Sequence, residues 1–357
     1  MIKKKIINEI LKEKKGISLE KFIDVCLFDK DGYYQNVITL GKSGDFITAP
    51  EISQLFGEIL GLYILNLWKE KYKKRINLIE FGPGNGTLLI DVLRITKPLF
   101  DFHYFLDIHL IEKNFFLVTK QKQNLKINKF KNINFKWHDN ISNIKQKPSI
   151  IIANEFFDCL PIRQFQKKNN EWHEKVINFN QVEDKFFYQN LSVHDDKLLK
   201  KLAMYKNEDI VELSEQREDY FRKICEYIVQ SSGTIIIIDY GYYDFPGQFT
   251  LQSIFNHKYA NLLDNVGKQD ITSLVDFKKF IVIARDYNLK IDTYCNQNEF
   301  LLSNGLVERK NKVIQKCEAG QKKIIEIGYN RLIDKKQMGS IFKFLIVSSK
   351  NFDETVQ

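Results

Sequence analysis

Apolar residues recur every three to four positions over residues 2–13 and 18–28, the period of two short amphipathic helices. A turn at Asp31-Gly32-Tyr33-Tyr34 and a loop over 35–47 follow. Beyond them Ile52, Leu55, Phe56, Ile59, Leu60, Tyr63 and Leu67 share one face, which predicts a single long helix from Ala49 to Tyr72. Thr48 and Glu51 have the spacing of a capping box, and Pro50 suits a first helical turn. The pattern then changes. Apolar runs near 76–81, 107–112, 133–137, 149–153 and 234–239 alternate with helical periodicity, predicting a mostly parallel sheet with helices on both faces. Residues 162–190 alternate with period two, as in Arg163-Gln164-Phe165-Gln166, and read as an antiparallel insertion. Residues 296–335 read as a helical insertion, and Met338–Ser348 as an antiparallel edge strand. The expected fold class is α/β and Rossmann-like: an N-terminal helical region over 1–75, then a main domain over 76–357 with insertions at about 162–210 and 296–335.

The first apolar run ends in a distinctive turn. Glu80-Phe81-Gly82-Pro83-Gly84-Asn85-Gly86 is followed by Thr87-Leu88-Leu89-Ile90-Asp91-Val92-Leu93, apolar at helical spacing, so the segment reads strand, glycine turn, helix. Glycine lets a backbone pass close to a nucleoside-bearing ligand, because it has no Cβ and tolerates positive φ. A dinucleotide fingerprint would place its third glycine at position 87, where this chain has Thr87. The E-x-G-x-G-x-G pattern looks instead like an S-adenosylmethionine loop, with Glu80, Gly82, Gly84, Asn85 and Gly86 as cofactor-binding candidates.

Further acids fall at strand ends. Glu112 closes Asp107-Ile108-His109-Leu110-Ile111-Glu112, at the distance where a second strand supplies a ribose-binding carboxylate; the plainer reading is a strand-end residue that starts a helix. Asp139 closes the third strand and would sit beside an adenine, or else serve as a turn aspartate. The fourth strand runs into Asn154-Glu155-Phe156-Phe157-Asp158-Cys159-Leu160-Pro161. Open α/β sheets bind ligands beyond the carboxyl ends of their strands, so Asn154 falls to the cofactor and Glu155 and Asp158 to the reacting partner. Paired carboxylates can grip a guanidinium in bidentate fashion while the two phenylalanines wall a dry pocket. The alternative is a turn at Asp158 and Pro161 with Glu155 in a structural ion pair. Asp239, before Tyr240-Gly241-Tyr242 on the fifth strand, is a third candidate acid.

The 357 residues are 44% hydrophobic and 13% aromatic, enough for a large core, and carry a formal net charge of +9. The lysine excess is diffuse, with local clusters only at Lys3–Lys5 and Lys69–Arg75, so nucleic acid is not the expected partner. Five cysteines, at 26, 159, 225, 295 and 317, include no C-x-x-C pair, and the histidines form no metal-binding spacing; no metal is expected. No apolar run approaches transmembrane length. Glu9 and Glu13 interrupt the basic N-terminus and break both a signal-peptide core and a transit-peptide pattern, so the expected location is the cytoplasm.

Several motifs together give a resemblance. Gly32-Tyr33-Tyr34, the block Gly44–Glu58, the glycine turn, Asn154–Pro161, Asp239-Tyr240-Gly241, Gly267–Thr272 with Val275-Asp276-Phe277, and Met338-Gly339 are spread over most of the chain. In these it resembles the MidA-type class I methyltransferases that depend on S-adenosyl-L-methionine, whose mitochondrial members are complex I assembly-factor protein arginine methyltransferases. The resemblance implies that cofactor, a protein substrate presenting an arginine and, in the mitochondrial branch, symmetric dimethylation in a complex I subunit. Only from the resemblance does a mitochondrial matrix location follow, if the source is eukaryotic. Asn85 stands where many members carry a basic residue, with an amide able to donate to the cofactor carboxylate. The rivals are a methyltransferase with a small-molecule acceptor and a non-catalytic assembly factor that retains the fold. Asp45, Phe46, Ser53 and Gln54, which capping does not require, suggest a lid over the cofactor.

Overall fold

The computed structural model describes residues 1–35, 48–98, 100–130, 133–205 and 209–350. Its central sheet contains β1 (Ile76–Phe81), β2 (Leu106–Ile111), β3 (Asn134–His138), β4 (Ser149–Asn154), β5 (Gly233–Tyr242), β6 (Lys290–Asn296) and β7 (Phe342–Ser348). The order is β3-β2-β1-β4-β5-β7-β6, and the two-residue strand Val275–Asp276 pairs with the end of β5. Strands β3, β2, β1, β4 and β5 are parallel to one another, and β7 is antiparallel to both β5 and β6. Every residue of β1 is buried, Asn77 and Glu80 included, as expected of a central strand with helices on both faces.

Two expectations are corrected. The closing strand is interior, and the edge belongs to β6. Phe342–Ser348 is apolar on both faces and buried almost throughout, whereas Lys290–Asn296 is polar and only half-buried, the composition of an edge. The long helix from Ala49 to Tyr72 is also broken. A single turn, Ala49–Ile52, ends at Ser53, whose backbone is extended at φ −153° and ψ 125°. A second helix, Gln54–Leu67, starts there with Ser53 Oγ accepting from Leu55 N, and its last turn widens into π geometry over Trp68–Tyr72.

The antiparallel insertion contains Arg163–Lys168, Glu171–Asn180, Lys185–Ser192 and Ile210–Leu213. Ile17–Ser18 pairs with it from the N-terminus. The helices Ile2–Glu13 and Leu19–Phe28 bury Ile6 and Phe22 in one cluster with Ile162, Ile177 and Phe186. Residues 54–72 pack instead on the central sheet, where Phe56 and Ile59 meet Leu78, Phe300 and Phe344. The region 296–335 forms three helices, Gln297–Ser303, Leu306–Ile314 and Ala319–Ile333. Arg309 fastens this insertion to the helix Gln54–Leu67 by donating to both oxygens of buried Glu58, at 2.7 and 3.1 Å. Among the described residues, no helix is long and apolar enough to cross a membrane.

Candidate active site

The carboxyl ends of β1, β2, β3, β4 and β5 open on one cavity of about 340 Å³. Glu80, Gly82, Gly84, Asn85, Glu112, Asp139, Asn154, Glu155 and Asp158 all line it. Gly86 does not; at φ 78° it caps the helix Thr87–Thr96. The turn bends through three positive φ angles, 59° at Gly82, 54° at Gly84 and 78° at Gly86. A Cβ at Gly82 would stand 2.9 Å from Phe156, while one at Gly84 would meet no atom within 4 Å.

Glu80 is 3% exposed, and burial pushes its pKa up to about 8. Among the described residues, three buried acceptors that line the cavity have no donor: Glu80 Oε2, Asn85 Oδ1 and Asn154 Oδ1. Buried polar atoms are normally paired, so this wall suits a ligand that brings N–H groups. S-adenosyl-L-methionine brings an ammonium and an adenine amine. With the open space at Gly84, the residues fit that cofactor.

Glu112 accepts from Asn114 N at 2.8 Å and from Gln121 Nε2 at 3.3 Å. It therefore orders the start of the helix Phe115–Ile127 and also faces the cavity. Gln121, fully buried, is the hub behind it. It donates to Gly84 O at 2.9 Å and accepts from Trp137 Nε1 at 2.8 Å, joining the glycine turn to β2 and β3. The sequence signal was a glutamine between Leu117 and Leu125 on the one inner face of a largely polar helix. Asp139 sits exposed at the rim. The Asn85 amide nitrogen is engaged within the protein. It donates to Glu51 Oε1 at 3.0 Å, where Thr87 Oγ1 also donates at 2.7 Å. The expected capping box is thus absent: Thr48 makes no side-chain cap, and Glu51 serves the glycine turn. Asp45 and Phe46 lie outside the described residues, Ser53 caps a helix, and Gln54 opens it.

Glu155 occupies the left-handed region at φ 49°, an uncommon backbone for a glutamate and a frequent mark of functional sites. Its Oε1 accepts from Ala49 N at 3.0 Å and Asn154 Nδ2 at 3.3 Å, and its Oε2 from Tyr240 OH at 3.3 Å. Burial, then neighbouring Asp158, pushes its pKa up to about 8. Asp158 is buried too, which raises its pKa against the opposing pull of Arg217 and a hydrogen bond from Tyr240. Tyr240 thus meets both carboxylates.

Asp239 is not a third acid of this cavity. It is fully buried, and its carboxylate accepts from the backbone N–H groups of Phe157, Asp158 and Tyr240. Its work is to pin the loop after β4 onto β5. Phe157 is likewise core, packed on Phe221 and Phe280, and only Phe156 faces the cavity, over Gly82. Arg217, which the sequence did not single out, donates to the carbonyls of Asp158, Ser273 and Leu274 and locks the same loop from behind.

Among the described residues, Asp24, Glu51, Glu80, Glu112, Asp139, Glu155, Asp158 and Asp270 line the cavity, against Lys113 as the one basic residue. In a chain of net charge +9 this is a strongly acidic interior.

The sequence profile of the S-adenosyl-L-methionine-dependent methyltransferases matches residues 59–295. The chain is 32% identical over 348 residues to the mitochondrial protein arginine methyltransferase NDUFAF7 of Xenopus tropicalis, covering 88% of this chain and 78% of that protein. It is 30% identical to the protein of the same name from Homo sapiens, covering 88% and 75%. In three dimensions it matches a crystal structure of a methyl transferase superfamily member from Burkholderia thailandensis bound to S-adenosyl-homocysteine, with a TM-score of 0.84, 21% identity, and coverage of 98% of this chain and 92% of that one. The Rossmann-like sheet with its antiparallel β7 is the fold of that neighbour. The chain belongs to the S-adenosyl-L-methionine-dependent methyltransferase family.

Proposed function

We propose that this enzyme methylates an arginine side chain of a protein. The observation that carries the reading is the pair of half-buried Glu155 and buried Asp158, both meeting Tyr240, in a cavity where acids outnumber bases among the described residues. Two neighbouring carboxylates repel each other unless a cation or a proton lies between them. A guanidinium answers that need with a planar fork of donors.

When bound, the cofactor supplies an activated sulfonium methyl, so the protein must orient the acceptor, exclude water and take up one proton. Asp158 holds the guanidinium. Glu155, with Oε1 already accepting from Ala49 N, keeps its proton until the acceptor arrives, because its pKa is pushed to about 8. The arriving guanidinium favours the carboxylate, which loses that proton to solvent and takes up the one released by transfer at Oε2. Phe156 covers the glycine turn and keeps the site dry. The relatives named protein arginine methyltransferases support the acceptor, and their mitochondrial names support a matrix location in a eukaryotic source.

The test is incubation of the purified protein with labelled S-adenosyl-L-methionine and a lysate from cells lacking it, followed by identification of the labelled residue. Methylarginine in a protein supports the reading. Label confined to small molecules or to another residue type overturns it.

A further inference from the structure

The turn Ala49–Ile52 holds two parts of the cavity at once. Four residues cannot sustain a helix alone, and extended Ser53 severs this one from Gln54–Leu67, so its position is set by what it touches. Ala49 and Pro50 are buried. At one end Glu51 Oε1 accepts from Asn85 Nδ2 in the glycine turn at 3.0 Å and from Thr87 Oγ1, the first residue of the helix that follows it, at 2.7 Å. At the other end Ala49 N donates to Glu155 Oε1 at 3.0 Å. A carboxylate drawn away from the cap of its own helix, to be satisfied by a neighbouring loop, is a tertiary link rather than a local stabiliser.

We infer that Glu51 is a positioning residue that ties the cofactor turn to the acceptor carboxylate. A cofactor that orders residues 82–87 also fixes Ala49 against Glu155. The acceptor site is thereby completed by the cofactor, which favours binding of the cofactor first. The inference rests on the acceptor reading only for the role of Glu155. Coupling of this kind requires an element that both sites bias, and the severed turn is that element.

The experiment is hydrogen exchange on the full chain, with S-adenosylhomocysteine as the probe. In the unaltered protein, saturating probe slows exchange in the peptide spanning 48–56 by about tenfold or more. In Glu51→Ala, with probe concentration raised to equal occupancy by calorimetry, the glycine turn remains protected and 48–56 does not. Thr87→Val cuts the link from the opposite side and weakens protection in the same peptide, which keeps the test decisive should Glu51→Ala fail to fold. Equal protection of 48–56 in a folded variant and the unaltered protein overturns the inference, as does no protection in the unaltered protein. No acceptor takes part in this measurement, so its failure is distinct from a failure of arginine transfer.

Discussion

Gly84 stands at φ 54° on the cavity wall, and a Cβ built there meets nothing within 4 Å. The Cβ of Gly84→Val therefore meets no described atom, and the main cost to the fold is the left-handed backbone penalty of about 1–2 kcal/mol, somewhat more for a β-branched residue. Against a typical stability of about 5–15 kcal/mol, the variant folds. The same side chain fills the space where the turn must let the cofactor approach, between Glu80 and Asn85. Affinity for S-adenosylhomocysteine should fall well over tenfold, which is more than about 1.4 kcal/mol. Gly82→Ala makes the contrast: its Cβ would stand 2.9 Å from the Phe156 ring, so it loses stability as well as binding. Calorimetric titration of Gly84→Val, with folding checked by circular dichroism and thermal melting, is the assay. A folded variant that binds within about threefold of the unaltered protein, about 0.7 kcal/mol, would refute the placement of the cofactor.

Glu112→Gln keeps an oxygen for Asn114 N but loses the charge facing the ribose; binding should weaken by about 1.5–3 kcal/mol, equally for S-adenosylmethionine and its demethylated product by calorimetry. Arg309→Met leaves buried Glu58 with Arg94 alone, at 3.3 Å; urea unfolding should show a loss of about 2–3 kcal/mol while cofactor affinity stays unchanged. Glu155 has an ordinary pKa of 4.5 and a folded value of about 8, so between these the unfolded chain has released a proton the folded chain keeps, and stability falls as pH rises. Between about pH 6.5 and 8 this contribution is about 2 kcal/mol, and Glu155→Gln should show a correspondingly shallower decline when unfolded without cofactor; equal slopes would show that Glu155 is ionised throughout.

The sheet strands β1, β2, β4 and β5 were legible because each is a largely apolar run long enough to be buried on both faces and too short for a helix, whereas β3, Asn134–His138, is a half-exposed edge strand. The glycine turn and the acids at strand ends were legible because topology puts them at one edge of the sheet. What escaped depended on partners distant in sequence. The period of Ile52, Leu55, Phe56 and Ile59 continues across Ser53, so the break there left no trace in the hydrophobic pattern. Thr48 and Glu51 carry capping-box spacing, and only the folded chain shows that Asn85 and Thr87 take the carboxylate instead. Asp239 looked like Glu155, an acid beside a strand end, but its carboxylate is consumed by three backbone N–H groups. Gln121 and Arg217 act through backbone carbonyls, which no residue pattern specifies.

The most direct test of the account separates binding from transfer at the carboxylate pair. Glu155→Gln and Asp158→Asn should each be titrated with S-adenosylhomocysteine and assayed, side by side with the unaltered protein, for methyl transfer to an arginine-bearing acceptor. The account predicts cofactor affinity nearly unchanged and transfer reduced about 10²-fold or more in both, the scale of a positioned catalytic group. Full transfer by both variants would contradict it and move the chemistry away from this loop.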